Sequence, residues 1–223
     1  MEVEKEANER TIICYGDSNT WGFVPSSQRE RFSPDVRWPG ALAKLLQNNG
    51  YRVVEQGLCG RTSVLDDPIE SVMGVEKNGL KLLGTILCSH SPVDLVILML
   101  GTNDLKRRYA ATPTDVAYGV GTLVQRARLP EFGPGFISPP DVWVVCPPSI
   151  WEVESEFGPI FKGGREKSQE FPKAFGEMAK AYRVPLIYAE NFLHSDPSDG
   201  IHLSAESHAL LAQELARRIL ERG

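Results

Sequence analysis

The sequence has no long apolar run and no excess of positive charge. No apolar stretch approaches the roughly 20 residues that span a bilayer as a helix, and the first ten residues are acidic where a secretory signal is basic and then apolar. The formal net charge is −5, with Lys and Arg scattered among the acids, so there is no basic stripe to neutralise a phosphate backbone. We therefore expect a cytoplasmic protein with neither a membrane nor a nucleic acid as its partner.

Cysteine and histidine are also scarce, with four of each in 223 residues. The cysteines Cys14, Cys59, Cys88 and Cys146 show neither a CxxC pair nor Cys/His ligand spacing. The Asp, Glu and His residues form no recognisable ligand set either. We therefore expect free, buried thiols, no metal and no cofactor.

Apolar residues, in contrast, are plentiful and fall into alternating strands and helices. They make up 42% of the sequence, enough for one domain with a substantial core, which we place at 11–223 behind a flexible acidic leader at 1–10. Apolar runs rich in β-forming residues predict five strands, at 11–15, 51–55, 94–100, 142–146 and 185–189. Helical spacing predicts helices at 38–46, 80–89, 114–126, 166–181 and 205–221.

Strands that are continuous apolar runs and alternate with helices indicate a mostly parallel sheet covered on both faces. The expected fold is α/β, a three-layer α/β/α sandwich around a five-stranded sheet. Right-handed crossovers favour the flavodoxin-like strand order 2-1-3-4-5.

The long connection at 147–164 has no strand or helix periodicity, yet it carries five large apolar side chains. Because a lone loop could hardly bury them all, we expect it to pack against a second copy of the chain in a homo-oligomer. The five are Ile150, Trp151, Phe157, Ile160 and Phe161.

Four of the five predicted strands lead into small or reactive residues at their carboxyl ends, where ligands of open α/β sheets bind. Strand one runs into GDSNT at 16–20, strand two into GLCGRT at 57–62 and strand three into GTND at 101–104, while strand five leads towards DGIH at 199–202. Together they offer a hydroxyl, glycine N–H groups, an amide and an Asp/His pair. Acyl transfer needs this set: a nucleophile, a base, a carboxylate that orients the base, and oxyanion donors.

Each of these residues also has a purely structural interpretation. Ser18 could cap a helix after strand one, and Asn103 and Gly60 could be an ordinary turn residue and a bend. Asp199 followed by Gly200 is a common turn pair. The chemical interpretation therefore depends on the combination of residues.

Other ionisable residues compete for the same roles. His208 is a rival base, but it falls inside the last predicted helix and lacks an acid three residues before it, whereas Asp199 precedes His202 by three. Asp17 and Asp104 are expected to brace their loops through backbone hydrogen bonds. We therefore favour His202 as the base and Asp199 as its partner.

The four segments resemble the signature blocks of the SGNH (GDSL-like) hydrolases, a superfamily named after Ser, Gly, Asn and His. Here the blocks are GDSNT, CGRT, GTND and DGIH, in the expected order. The resemblance implies that Ser18 is the nucleophile, His202 the base and Asp199 its orienting acid. It also implies an oxyanion hole made of the Ser18 and Gly60 backbone N–H groups and the Asn103 side chain.

Longer stretches resemble the bacterial arylesterase/perhydrolase (acyltransferase) branch of that superfamily. They are GDSNTWGFVP, RFSPDVRWPG, DDP, DLVILMLGTND, IFKGG and DGIH, spread over nearly the whole chain, with Asn19 where many members have Leu. The resemblance implies hydrolysis of short-chain and aryl esters, acyl transfer to acceptors that include hydrogen peroxide, and a homo-oligomer, an octamer being one form.

Bulky residues near the nucleophile predict a small acyl site. We expect Asn19, Trp21 and Cys59 to contact a small-molecule ester with an acetyl to butyryl group. A carbohydrate deacetylase and a thioesterase are alternatives, since both use the same chemistry. A flavodoxin-like ligand-binding module is the alternative of a different class, but Asp17 would place negative charge beside its phosphate and the Asp199/His202 pair would have no role.

Overall fold

The computed structural model describes residues 9–70 and 74–222. Five strands form one parallel sheet: β1 (Arg10–Gly16), β2 (Tyr51–Gly57), β3 (Leu95–Met99), β4 (Asp141–Cys146) and β5 (Leu186–Tyr188). Their order is β2-β1-β3-β4-β5, which confirms the predicted order. The predicted leader lies outside the described residues except for Glu9 and Arg10, and Arg10 already begins β1.

The helices lie close to their predicted positions with one exception. They are α1 (Ser18–Trp21), α2 (Trp38–Leu46), α3 (Gly79–His90), α4 (Pro113–Ala127), α5 (Gly164–Gln169), α6 (Phe171–Tyr182) and α7 (Ala205–Arg222). The single helix predicted at 166–181 is therefore two helices that meet at Glu170. The reason is Pro172 in the first turn of α6, because a proline has no N–H with which to continue the ladder of the helix before it.

Successive residues of β1 face two separate cores. Ile13 and Tyr15 belong to a cluster built with α3, α4 and α6, whereas Ile12 and Cys14 belong to a cluster built with α2 and α7. All four side chains are fully buried, because side chains alternate between the faces of a strand and both faces are covered. The helices thus form the outer layers of the predicted three-layer α/β/α sandwich.

The 147–164 loop buries most of its apolar residues within its own chain. Ile150 and Phe161 are core residues, and Phe157 and Ile160 pack against the same core. Trp151 alone among the five is exposed, at 44%. The premise that the loop needs a second subunit to cover these side chains is therefore wrong for four of the five, and a homo-oligomer stays a prediction.

The cysteines also differ from one another in burial. All four are free, and Cys14 and Cys146 are buried in strands as expected. Cys88, in contrast, is exposed on α3 and Cys59 is half-buried, so the expectation of buried thiols is wrong for these two. None of the helices in the described part of the chain is long and apolar enough to cross a bilayer.

Candidate active site

The carboxyl end of β1 turns sharply into the short helix α1. The side chain of Asp17 caps this helix by accepting a hydrogen bond from the Asn19 N–H at 2.9 Å. Gly16 allows the tight turn, because a Cβ at that position would lie 2.0 Å from the Thr20 hydroxyl. The turn sets Ser18 at the first position of α1, at the edge of the sheet where ligands of this architecture bind.

Ser18, His202 and Asp199 form one hydrogen-bonded series. The Ser18 Oγ lies 3.0 Å from His202 Nε2, and His202 Nδ1 lies 2.7 Å from Asp199 Oδ2. An ionised carboxylate can only accept hydrogen bonds, so Nδ1 carries the imidazole proton and Nε2 is left to accept the Ser18 proton. The three residues predicted from the sequence as nucleophile, base and orienting acid thus meet within hydrogen-bond distance.

Asp199 is held in its ionised form by the segment that it begins. Its Oδ1 accepts the N–H groups of Ile201 and His202, both at 2.9 Å, and its Oδ2 also accepts the Ser26 N–H at 3.3 Å. Burial raises the pKa of Asp199, but the hydrogen bonds and the charge of His202 outweigh it, so the pKa lies below its usual value. Asp199 is therefore a carboxylate at neutral pH and can orient the imidazole.

Two phenylalanines enclose the His202 ring. Phe23 stacks on its face, with ring centroids 4.2 Å apart and an angle of 21° between the planes. Phe157, from the 147–164 loop, meets it edge to face at 5.3 Å and 71°. The contacts fix the plane of the imidazole, and the electron-rich face of Phe23 favours a cationic ring beside it. Phe157 was not among the predicted site residues, because it lies in a loop without periodicity.

The predicted oxyanion donors follow the ends of β2 and β3. Gly60 has φ +81°, a conformation that favours glycine over residues with a Cβ. Asn103 begins a short 3₁₀ turn after β3, and its buried Nδ2 has no acceptor among the residues that the structure describes. A buried donor without a partner costs about 1–3 kcal/mol. Such a donor is suited to a ligand atom that carries negative charge.

Buried charged side chains hold the segments that follow β1, β2 and β3 in place through hydrogen bonds. Asp104 accepts hydrogen bonds from the N–H and the hydroxyl of Ser63, and the Arg61 guanidinium donates to the Gly16 and Gln56 carbonyls at the ends of β1 and β2. Burial raises the pKa of Asp104 to about 7 and that of Asp17 to about 6, against the hydrogen bonds that each accepts. Both aspartates contact the backbone, as expected for bracing residues.

The three predicted substrate-binding residues have different environments. Asn19 is 3% exposed and both ends of its amide bond to backbone groups, Nδ2 to Ile201 O and Oδ1 to Leu203 N–H. Both polar ends of the side chain are thus engaged within the protein, and its role as a substrate contact stays a prediction. Trp21 and Cys59 are both half-exposed, and burial raises the pKa of the Cys59 thiol to about 11, so it is neutral. For Trp21 and Cys59, contact with the substrate also stays a prediction.

The rival base His208 lies away from the nucleophile. Its Nδ1 accepts the Trp38 N–H at 3.2 Å, and the ring is fully buried in α7. Burial lowers the pKa of His208 to about 3. Its hydrogen bond therefore joins α7 to the start of α2, a structural role.

Comparison with known proteins points to one family. The profile of the GDSL-like lipase/acylhydrolase family matches residues 14–210. No curated protein matches the chain. Among solved structures, a carbohydrate acetylesterase from Sinorhizobium meliloti is 38% identical, with a TM-score of 0.88 and coverage of 96% of this chain and 100% of that one.

Two further structures extend the comparison. An aryl esterase from M. smegmatis is 38% identical over 95% of this chain and 99% of its own, with a TM-score of 0.87. A second carbohydrate acetylesterase family member from S. meliloti is 30% identical over 95% and 98%, also with a TM-score of 0.87. These neighbours fit the arylesterase side of the SGNH superfamily. The chain therefore belongs to the GDSL-like lipase/acylhydrolase family.

Proposed function

We propose that this esterase works through an acyl-enzyme on Ser18, with His202 as general base and Asp199 as the carboxylate that orients it. The observation that carries the proposal is the series from Asp199 through His202 to Ser18, with contacts of 2.7 and 3.0 Å. Such a series lets a weakly nucleophilic hydroxyl lose its proton as it attacks. It lies at the carboxyl edge of the sheet, where ligands of this architecture bind.

The first half of the reaction transfers the acyl group to the enzyme. Ser18 Oγ bonds to the ester carbonyl carbon while His202 Nε2 takes the hydroxyl proton, and the imidazolium then gives that proton to the leaving alcohol as the ester C–O bond breaks. Phe23 against the ring face favours the transient imidazolium. The products of this half are the free alcohol and an ester on Ser18.

The second half transfers the acyl group to an acceptor. Water gives a proton to His202 Nε2 and attacks the acyl carbon, and Ser18 Oγ recovers a proton as the acid leaves. An alcohol or hydrogen peroxide can take the place of water with the same proton balance, giving an ester or a peracid.

Rapid-quench mass spectrometry with 4-nitrophenyl acetate should show an acetyl increment on the peptide that contains Ser18. If the enzyme turned over rapidly and this increment stayed on another residue, the proposed intermediate would be wrong.

The Nδ2 of Asn103, which has no acceptor in the described part of the chain, supplies a test of the oxyanion hole. We propose that Asn103 Nδ2 and the N–H groups of Ser18 and Gly60 bind the carbonyl oxygen as it becomes negative. An oxyanion donor meets full charge only in the tetrahedral intermediate, so Asn103→Ala should lower kcat by about 10²–10³ and leave KM nearly unchanged. Steady-state kinetics on 4-nitrophenyl acetate measures both constants. A normal kcat with a raised KM would make Asn103 a substrate-binding residue instead.

The substrate that we propose is an ester of a short acyl group, acetyl to butyryl, with an aryl or small alkyl alcohol. Aromatic rings cluster around the base: Phe23 and Phe157 both contact the His202 ring and lie 6.2 Å apart, and Trp21 lies 6.4 Å from Phe23. Phe23 is itself 7% exposed, so little room is left beside His202. A site of this kind favours small acyl groups.

Acyl-chain length can measure that room directly. Each CH₂ that fits an apolar pocket favours binding by up to about 0.8 kcal/mol, and one that clashes reverses the trend. With 4-nitrophenyl esters from acetate to palmitate, kcat/KM should fall steeply beyond butyrate. Trp21→Ala should move the optimum towards longer chains. An optimum at octanoate or beyond in the unaltered enzyme would contradict the proposal and favour a lipase-like role.

A carbohydrate acetylester is the second candidate substrate. The observation in its favour is that one of the structures 38% identical to this chain is that of a carbohydrate acetylesterase, while the other is that of an aryl esterase. Comparing kcat/KM for an acetylated sugar, an aryl acetate and an acetyl thioester distinguishes the two candidates from each other and from the thioesterase alternative. A kcat/KM for the acetylated sugar above that for the aryl acetate would favour the carbohydrate substrate.

A further inference from the structure

The side chain of Asn19 joins the nucleophile segment to both neighbours of the base. Its Oδ1 accepts the Leu203 N–H at 2.9 Å, and its Nδ2 donates to the Ile201 carbonyl at 3.2 Å. Asn19 directly follows Ser18, while Ile201 and Leu203 flank His202 in the sequence. One amide thus spans a gap of more than 180 residues in the chain and holds the residues on either side of the imidazole.

Both hydrogen bonds of the Asn19 amide are buried, which raises the free-energy cost of losing them. Asn19 is 3% exposed, Ile201 is 4% exposed and Leu203 is fully buried, so water cannot easily replace either bond. The site needs one donor and one acceptor on a short, stiff side chain, and an amide supplies both. A leucine at this position would have neither group.

We propose that Asn19 is a positioning residue that sets the register of Ser18 against His202, an inference that rests on the proposed function of both. The two hydrogen bonds of the Asn19 amide fix the backbone on both sides of His202, and the turn that Asp17 caps fixes the backbone at Ser18. The Ser18 Oγ to His202 Nε2 distance of 3.0 Å then depends on Asn19 as well as on the fold. A displacement of about 1 Å at such a contact can cost about 10²-fold in rate.

The two alternative roles of Asn19 make different predictions. A substrate contact would change KM, but the side chain is buried and both ends of its amide are bonded within the protein. A merely structural residue would change the melting temperature and leave the rate constant of the folded enzyme as it was. A positioning residue lowers kcat at constant KM, because both substrate binding and the fold survive while the alignment of the reacting groups does not.

Asn78 is a matched control, since it makes the same types of bond elsewhere. It is buried, its Oδ1 accepts the Leu80 N–H at 3.0 Å, and its Nδ2 donates to the Val64 carbonyl at 2.7 Å. It caps α3 and bonds to no residue of the Ser18 or His202 segments. Asn78→Leu therefore removes these two bonds and a third, from Nδ2 to Asp66 Oδ1 at 2.7 Å, without loosening the contact between nucleophile and base.

The experiment compares Asn19→Leu, Asn19→Asp and Asn78→Leu by thermal melting, by steady-state kinetics on 4-nitrophenyl acetate, and by the rate at which an organophosphate inactivates the enzyme. We expect Asn19→Leu to lower kcat and the inactivation rate by about 10- to 100-fold with little change in KM. Asn19→Asp keeps the acceptor and loses the donor, so its kcat should lie between that of Asn19→Leu and that of the unaltered enzyme. Asn78→Leu should lower the melting temperature and retain kcat.

Three results would overturn the inference: an unchanged kcat in folded Asn19→Leu, a change confined to KM, or an equal loss of kcat in Asn78→Leu. If Asn19→Leu does not fold, Asn19→Asp decides, since an unchanged kcat there overturns the inference and a lower kcat at constant KM supports it. Failure of the proposed function is distinguishable, because it would appear in the unaltered enzyme as turnover without acylation of Ser18. The inference alone fails when Ser18 is acylated normally in the variants.

Discussion

Ser18→Ala should abolish ester hydrolysis and leave the folded structure intact. Ser18 is 6% exposed and its Oγ hydrogen-bonds to His202, so the substitution removes one atom and one hydrogen bond. The loss in kcat should reach about 10⁴- to 10⁶-fold, because the remaining oxyanion donors and binding groups give only a small residual rate over water. Hydrolysis of 4-nitrophenyl acetate together with circular dichroism measures activity and fold in the same sample.

Ser168→Ala is the matched control for this variant. Ser168 is a fully buried serine whose Oγ accepts the Ile150 N–H at 3.0 Å and donates to the Arg165 carbonyl at 2.8 Å. Its loss should cost about 1–3 kcal/mol of stability through the unpaired backbone groups and leave kcat nearly unchanged.

Covalent labelling provides a second test of the nucleophile. An organophosphate should inactivate the unaltered enzyme and add its phosphoryl group to the peptide that contains Ser18, and Ser18→Ala should take up no label at that peptide. Full inhibition with the label on another residue would remove Ser18 from the mechanism. Activity retained by Ser18→Ala would do the same without any label.

The strands of the sheet could be predicted because the signal for each is local, and their order because few topologies are available. Buried parallel strands appear as short apolar runs, such as Ile12 to Tyr15 in β1 and Leu95 to Met99 in β3, and right-handed crossovers limit how such strands connect. The break at Glu170 could have been anticipated from Pro172. It was missed because the apolar spacing runs on across the break, which hides it from an analysis of periodicity.

Part of the site was beyond sequence reasoning for a physical reason. The reactive residues could be proposed because the ends of parallel strands share one edge, a property of the fold as a whole. The partners of Asn19 and the ring of Phe157 against His202, in contrast, depend on loops whose side chains follow no repeat. Their positions are set by packing between distant segments, so the sequence of the 147–164 loop gives no sign that Phe157 packs on the base.

His202→Ala should lower kcat by about 10⁴-fold or more, far beyond the effect of His208→Ala. Without the imidazole, the Ser18 hydroxyl has no acceptor for its proton as it attacks, and the leaving alcohol has no donor. Asp199 is a poor substitute, because its pKa lies below its usual value and its side-chain contact is with His202, which separates it from Ser18. Kinetics on 4-nitrophenyl acetate, normalised to folded protein by circular dichroism, gives the ranking of the two variants.

His208 makes this comparison a strict one, since it is the other histidine that the sequence offered as a base. Burial keeps the pKa of His208 near 3, so the ring is neutral throughout the working range and its bond to the Trp38 N–H at 3.2 Å persists. His208→Ala should therefore lower the melting temperature by opening a cavity between α2 and α7, while kcat per folded molecule changes little. A larger loss of kcat in His208→Ala than in His202→Ala would show that His208 is the base. The contact between Asp199 and His202 would then be structural only.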